Sequence, residues 1–241
     1  YWMFRANINY NENKITELFN GLDEYVFPDT GLKLQVGKPY GEFYMVKRHG
    51  VDPRDGKQIW LDKYGNETKV YSEDHSVFVG KQRYAPFSGG FGTQFAYKNV
   101  TLSADFAFAL GKYAINNDKY FLENPYAYGT TYNQSVNMLN MWTTPGQITD
   151  VPAATERLYA DSHLLENASF MRLKTLQISY SLPEKWMKRS NFFRAVNVFA
   201  VGRNLFTVTN FTGFDPEPED NVIKFPYPNT RQYVFGVELL F

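Results

Sequence analysis

The sequence predicts an all-β protein, and more specifically part of a large antiparallel transmembrane β-barrel. Three observations support this prediction: hydrophobic residues alternate with period two, aromatic residues make up 18% of the chain, and short and long connections between strands alternate. Strands of outer-membrane barrels alternate between lipid and lumen, with short turns at one end and long loops at the other. No apolar run approaches the roughly 20 residues that a spanning helix needs, which excludes a helical membrane protein.

The first half of the chain contains three strands with clean alternation. In the first, over residues 1–10, one face carries Trp2, Phe4, Ala6, Ile8 and Tyr10. Residues 11–13 (Asn-Glu-Asn) then predict a tight turn, because asparagine favours turn conformations. Residues 90–97 and 100–110 form the next pair, and the two residues between them predict a hairpin. The pattern in residues 15–27 is weaker.

The second half repeats the pattern. Residues 175–182 and 232–241 alternate cleanly, whereas residues 194–206 read as a strand whose faces cannot be assigned. Short connections are predicted at residues 11–13, 98–99 and 183–193. Long connections are predicted at residues 28–88, 111–167 and 207–230. This asymmetry is typical of an outer-membrane barrel with long extracellular loops.

The polar faces carry small hydrophilic residues, which suits a wet lumen better than a dry core. Phe and Tyr near the strand ends are typical of the aromatic girdles at membrane interfaces. The pattern yields about seven strands, whereas a wide wet lumen needs roughly 16 or more, so the chain is predicted to be part of a barrel. Two alternatives stay open: a secreted soluble β-sandwich that binds glycan, and a complete small barrel acting as an enzyme or passive porin.

Composition excludes several functions. The chain has 25 basic and 25 acidic residues, so no positive excess favours nucleic acid as a partner. It has no cysteine, and its three histidines, His49, His75 and His163, are too widely spaced to suggest a metal site. Asp105 faces the polar side without an evident partner, and Asp161 lies near His163 without a nucleophile. The sequence therefore predicts no catalytic residues, no metal site and no enzyme activity.

Several segments resemble, in the same order, the C-terminal region of SusC/RagA-type TonB-dependent transporters of the Bacteroidetes. The resemblance lies in residues 167–174 (NASFMRLK), 178–183 (ISYSLP), 202–206 (GRNLF) and 212–217 (TGFDPE), and upstream in residues 41–44 (GEFY), 50–53 (GVDP), 88–91 (SGGF) and 142–152 (WTTPGQITDVP). No single segment is decisive, but the set covers about the whole chain. The resemblance identifies residues 1–241 as a C-terminal barrel segment of such a transporter.

The resemblance implies import across the bacterial outer membrane by a multi-pass barrel of about 22 strands. An N-terminal plug and a TonB box, which couples the plug to TonB, would lie outside this chain. The implied partners are a SusD-like surface lipoprotein that caps the barrel, and oligosaccharide or peptide cargo. A dimer of transporter–lid pairs is also implied. The resemblance implies no cofactor of the chain itself, with Ca²⁺ a candidate ligand in complexes of the family.

Candidate contact residues for cargo or lid lie in the loops. Four aromatic residues of the second long connection, Tyr126, Tyr128, Tyr132 and Trp142, could stack on sugar rings or pack on a lid, or else pack the loop on itself. Asp215 begins the acidic cluster of residues 215–220. We interpret this cluster as a solvated loop or a partner-facing surface, because its spacing is not that of a calcium loop.

The C-terminus carries a candidate barrel-assembly signal. In the resembled family, a terminal aromatic residue preceded by alternating hydrophobic positions and a glycine is recognised by the insertion machinery. Phe241, Leu239 and Gly236 fit this pattern, whereas Val234 stands where a polar residue is preferred. The alternative is an ordinary edge strand that ends in phenylalanine.

Overall fold

The computed structural model describes residues 1–27, 31–128, 133–190, 192–220, 222–224 and 226–241. The strands are β1 (Trp2–Tyr10), β2 (Glu24–Phe27), β3 (Leu32–Gln35), β4 (Glu42–Met45), β5 (Lys47–Val51), β6 (Gln58–Leu61), β7 (Glu67–Thr68), β8 (Val77–Gln82), β9 (Phe87–Tyr97), β10 (Val100–Leu110), β11 (Tyr113–Asn116), β12 (Leu165–Asn167), β13 (Phe170–Ser181), β14 (Ala195–Arg203), β15 (Thr207–Thr209), β16 (Val222–Ile223) and β17 (Gln232–Leu240). The α-helices are α1 (Asn117–Leu122), α2 (Pro125–Tyr128) and α3 (Glu184–Ser190), and short 3₁₀ turns cover Phe19–Gly21, Glu73–His75, Val136–Asn140 and Ser162–Leu164. Among these residues, no helix is long and apolar enough to cross a membrane.

Six long strands form one antiparallel sheet, called the wall below. Their order is β1-β9-β10-β13-β14-β17, so each strand pairs with the next long strand along the chain, and short β15 pairs with the start of β13. Strands β1 and β17 are the two edges, and they do not pair with each other. The described part of the chain therefore does not close into a complete small barrel.

The connections between wall strands alternate as predicted. Residues 98–99 and 182–194 are short connections, and residues 11–86, 111–169 and 204–231 are long ones. The predicted tight turn at residues 11–13 is wrong as a hairpin, because β1 pairs with β9 rather than with β2. Residue Asn11 instead donates its backbone N–H to the carbonyl of Pro86 at 2.9 Å, so both ends of the first long connection meet at the wall.

Cross-strand register gathers the apolar residues on one face of the wall. Leu102 of β10 lies between Phe95 and Ile178 of the neighbouring strands, and Ala104 lies between Thr93 and Leu176. Much of this face is solvent-exposed, as shown by Ile8 (73%), Phe95 (52%), Ile178 (50%) and Phe235 (79%). In a β-sandwich a second sheet would cover it. The sandwich alternative is therefore wrong for the described residues.

Aromatic residues stand at both ends of the wall. At the short-turn end, Tyr97 pairs with Val100, which in turn pairs with Tyr180. At the long-loop end, the rings of Tyr10 and Phe87 lie 5.0 Å apart. This placement agrees with the predicted interfacial girdles.

A β-bulge in β13 keeps its apolar residues on one face. Asp105 pairs with Thr175 while the next residue, Phe106, pairs with Leu173, which leaves Lys174 as the extra residue. Without this insertion, Leu173 and Leu176 would point to opposite faces. The strand also starts at Phe170, five residues before the predicted start, because alternation is broken at the bulge.

The opposite face of the wall carries an ion pair that spans three strands. Arg5 of β1, Gly92 of β9 and Asp105 of β10 are in register, and the Arg5 Nη2 lies 2.6 Å from the Asp105 Oδ1. A Cβ atom at Gly92 would overlap the Asp105 carboxylate. Glycine therefore makes room for the pair, and Asp105 has the partner that the sequence did not reveal.

The long connections are folded rather than irregular. Within residues 11–86 lie the sheets β2-β3-β4-β8 and β5-β6-β7, and a third sheet, β12-β11-β16, joins the second and third long connections. The hydrophobic core lies here: the buried residues Leu32, Phe43, Met45, Ile115 and Leu164 form one cluster. Because the wall is apolar on an uncovered face, the core forms where the loops pack on one another.

Candidate functional site

A cavity of about 400 Å³ lies where the long connections meet the end of the wall. Its charged lining comes from Arg83 before β9, Lys112 after β10, and Glu217 and Glu219 of the third long connection. Its floor includes small polar positions of the wall, such as Ser88. The cavity therefore lies next to the polar face of the wall, and it is a candidate binding site.

The first half of the acidic cluster is buried in an ion-pair network. Arg172 of β13 donates its Nη2 to the Asp215 Oδ1 at 2.7 Å, and both side chains are 4% exposed. Arg172 also pairs with Glu217, which pairs in turn with Lys174. Asn229 donates its side-chain amide to the Asp215 Oδ2 at 3.0 Å.

This network corrects the interpretation of residues 215–220 as a solvated loop. Asp215 is 3% exposed, although Glu219 and Asp220 are exposed. Burial raises the pKa of Asp215, but hydrogen bonds from Arg172 and from the backbone N–H groups of Glu217 and Asn229 outweigh it, so the pKa lies below its usual value. The carboxylate is charged and hydrogen-bonded within the chain. It accepts the backbone N–H of Glu217, which lines the cavity.

A second polar cluster locks the first and second long connections together. Trp60 of β6 donates its Nε1 to the Asp161 Oδ2 at 2.7 Å, and both residues are buried. The Trp60 ring packs edge-on against Tyr71 and Tyr159, whose rings stack at 4.1 Å. Asp161 also accepts the backbone N–H of His163 at 2.8 Å.

The pKa values of this cluster are shifted by burial. Burial raises the pKa of Asp161, against the opposing hydrogen bond from Trp60 and the charge of Arg48. Burial, together with the charges of Arg48 and Lys119, lowers the pKa of His163 to about 3. His163 is therefore neutral in the folded protein at all but strongly acidic pH.

We expect His163 to lower the free energy of unfolding at acidic pH. In the unfolded chain its pKa is near the ordinary 6.5, so between about pH 6.5 and 3 only the unfolded state binds the proton, and stability falls as the pH is lowered. On going from pH 7 to pH 5, this histidine should lower the free energy of unfolding by about 2 kcal/mol. The replacement His163→Gln should abolish that decrease. Urea unfolding of both proteins at the two pH values measures the difference.

Comparing wild type with His163→Gln isolates the effect of the histidine. The raised pKa of Asp161 increases stability as the pH falls, and Asp161 is present in both proteins. An equal pH dependence in wild type and His163→Gln would contradict the assignment. The replacement His75→Gln is the matched control, because it removes a histidine that lies in the 3₁₀ turn Glu73–His75, outside this cluster.

The four candidate aromatic residues have different placements. Trp142 packs the loops on one another: its Nε1 donates to the carbonyl of Pro53 at 3.1 Å, and a Cβ atom at Gly56 would lie 2.5 Å from its ring. Tyr126 is 64% exposed on α2. Tyr128 is the last residue of α2, and Tyr132 lies outside the described residues. Of the two whose side chains the structure describes, Tyr126 and Trp142, Tyr126 is the more exposed.

The candidate assembly residues lie on or just after the edge strand β17. Gly236 pairs with Phe199, whose ring occupies the space that a Cβ atom at Gly236 would need. Leu239 is 44% exposed on the apolar face, and the Phe241 ring lies 5.4 Å from the ring of Phe193. The glycine therefore has a packing role, and its part in an assembly signal stays a prediction.

Sequence reasoning did not identify Arg83, Lys112 or Arg172. Arg172 is a charged residue within a hydrophobic strand, and this could have been noticed had the strand been extended back to Phe170. Lys112 follows directly after a strand end, which is an ordinary place for a lysine. In the described residues, no group of three or more His, Asp and Glu side chains is placed to hold a metal ion.

The chain is similar to known transport proteins over its whole length. No protein-family model matches it. It is 26% identical to "TonB-dependent receptor P3" of Formosa agariphila and 27% identical to "TonB-dependent receptor SusC" of Bacteroides thetaiotaomicron, with 100% of this chain covered in each comparison. It spans about a quarter of their length, 27% and 24% respectively.

Solved structures give closer matches. The chain superposes on "Structure of the RagAB peptide transporter" with a TM-score of 0.91 and 41% identity, covering 99% of this chain and 27% of that one. The RagAB peptide importer in the "open-open" state gives a TM-score of 0.91 and 42% identity. With its antiparallel wall and long folded loops, the chain is part of the β-barrel of a TonB-dependent transporter. It belongs to the SusC/RagA type.

Proposed function

We propose that this chain forms part of the wall and vestibule of an outer-membrane transporter that imports peptides or oligosaccharides, energised through TonB. The observation that carries the proposal is the continuous apolar face across six wall strands, with aromatic residues at both ends. Such a face is suited to lipid, and the polar face with its ion pair is suited to a wet lumen. Residues 1–241 would be the C-terminal barrel segment, with plug and TonB box elsewhere in the protein.

The partner we propose is a SusD-like lipoprotein that caps the long-loop end, in a dimer of transporter–lid pairs. The folded long connections support this, because they present a preformed surface rather than flexible loops. Tyr126 is the candidate contact, since a large exposed aromatic side chain is a common anchor at protein interfaces. We propose no cofactor and no catalytic activity; the relatives are named as receptors and transporters.

Among cargo classes, peptides are favoured. The solved relatives are named as peptide importers. Oligosaccharides, which the family resemblance implies, stay the second candidate. The cavity at the end of the wall is lined by charges of both signs. A peptide carries charged termini and side chains that an exposed lining group such as Glu219 binds, whereas a neutral oligosaccharide binds mainly by stacking on aromatic faces.

Uptake by intact cells tests the function. We expect deletion of the gene for the full-length transporter to abolish import of labelled mixed peptides of about ten residues, which are too large for free diffusion through small porins. Import should return with the intact gene and not with a copy lacking the TonB box. The matched measurement uses labelled malto-oligosaccharides. Import lost for the oligosaccharides alone would favour the second cargo class, and unchanged import of both would contradict the proposal.

A further inference from the structure

The segment Asp215–Pro218 is held by three cations from parts of the chain that it does not connect, two from β13 and one from the residues between β10 and β11. The third long connection runs from β14 to β17, yet this segment reaches back to Arg172 and Lys174 of β13 and to Lys112 after β10. The two carboxylates of the segment, Asp215 and Glu217, are bound by Arg172, Lys174 and Asn229. Lys112 binds backbone carbonyl groups instead.

The Lys112 ammonium is bound by three consecutive backbone carbonyls. Its Nζ lies 2.8 Å from the oxygen of Pro216, 3.1 Å from that of Glu217 and 2.5 Å from that of Pro218. Carbonyls of an extended chain point alternately to opposite sides, so three successive ones meet at one point only where the backbone curves around a cation. Prolines at two of the three positions fix φ and contribute no N–H that would repel the ammonium.

The match between donors and acceptors is complete. An ammonium group has three N–H donors and no acceptor, and here each donor has one carbonyl. Lys112 is 4% exposed, so water does not replace these bonds. Its own carbonyl accepts the N–H of Ala168 at 2.9 Å, and Gly111 before it has a φ of +79°, which fixes the lysine backbone as well.

We propose that residues 216–218 are an internal cation site whose native occupant is the Lys112 ammonium, and that this occupancy fixes the Asp215–Pro218 segment as a rigid side of the cavity. The ligand class of the site is a primary ammonium. When the lysine side chain is removed, a small alkylammonium ion is the chemical equivalent that the carbonyls accept. This inference concerns the construction of the cavity, and it holds whichever cargo the transporter carries.

Chemical rescue in the full-length transporter tests the site. The replacement Lys112→Ala deletes the equivalent of propylammonium, so amide hydrogen exchange across residues 213–220 should accelerate at least about tenfold, the equivalent of one charge-assisted hydrogen bond. Added propylammonium should restore slow exchange. Tetramethylammonium should not, because it carries the charge without any N–H donor.

Two further variants separate the site from general effects. In Lys112→Met the methionine side chain fills the space, so exchange should be fast and propylammonium should not slow it. In Lys81→Ala the lost ammonium is one that lies over the Tyr113 ring, 4.6 Å from its centroid, whereas the carbonyls of residues 216–218 are bound by Lys112, so exchange across residues 213–220 should stay as in wild type. Equal rescue of Lys112→Ala by both ammonium ions, or unchanged exchange in that variant, would overturn the proposal.

A measurement on the unaltered protein covers the case in which Lys112→Ala fails to assemble. Reductive methylation of the native transporter should modify Lys112 at least about tenfold more slowly than exposed Lys81, because the buried ammonium must first leave its carbonyls. Methylation of both lysines at the same rate would show that the ammonium is not held, and the inference would fail.

Discussion

Replacing Arg172 with methionine is expected to destabilise the protein by about 3–5 kcal/mol, because it leaves the buried Asp215 carboxylate without its cation. Both side chains are 4% exposed, so water cannot take the place of the guanidinium. The loss includes the bond from the Arg172 Nε to the Thr207 Oγ1, at 2.7 Å, which ties β13 to β15. Denaturant unfolding of the full-length transporter, followed by tryptophan fluorescence, measures the change.

Lys174, in the same network, provides the control for Arg172→Met. Lys174 contacts Glu217 from a more exposed position, with 35% of its side chain accessible, so Lys174→Met should cost well under half as much. Adding Asp215→Asn to Arg172→Met removes the unpaired charge and should recover a measurable part of the loss. If Arg172→Met and Lys174→Met cost the same, or if the second substitution recovers nothing, the buried ion pair is not what holds the segment.

Replacing Ala104 with arginine is expected to cost about 2–4 kcal/mol, because the position lies near the middle of β10 on the face that we assign to lipid. Its neighbours in the sheet, Thr93 and Leu176, lie on the same apolar face. An arginine there must place its charge in the hydrocarbon core or distort the strand to reach the interface. Folding of the full-length protein into lipid vesicles, measured by the heat-modifiable shift in gel mobility, gives the effect.

The adjacent residue Ser103 provides a matched control on the other face. It pairs with Gln94 and Gln177, which are polar, so Ser103→Arg should fold within about 1 kcal/mol of wild type. The two variants introduce the same side chain at neighbouring positions of one strand. If both fold equally well, or if Ser103→Arg is the worse, the assignment of the apolar face to lipid is wrong.

The fold class and the wall were largely predictable from the sequence, and the loops were not. The predicted strand over residues 100–110 has the observed bounds, and the alternation of short and long connections is confirmed. The first long connection was predicted as residues 28–88 without assigned strands, but it spans residues 11–86 and contains seven strands, β2 to β8. These strands are two to six residues long, which is too short for the sustained period-two signal of the wall.

The candidate site was predicted less well than the fold. The aromatic residue Trp142 was a candidate for ligand stacking, and the structure packs it against Gly56 and Pro53. Asp215 was expected at the surface, and it is buried. In both cases the residue type was noted correctly, but its environment depends on a segment far away in the chain.

The sequence by itself determined the two faces of β1, β9, β10 and β17 and of β13 after its bulge, because in a regular strand the face depends only on whether the position is odd or even. The sequence also determined which of the later connections are short and which are long, whereas the predicted turn at residues 11–13 proved to be the start of a long connection, residues 11–86. Only the tertiary structure decided the ion pairs: Arg172 and Asp215 are 43 residues apart, and Lys112 and Pro216 are 104 apart. Such contacts depend on the path of long connections over the end of the wall. That path is set by packing among loops and by the bulge at Lys174, neither of which leaves a periodic signal in the sequence.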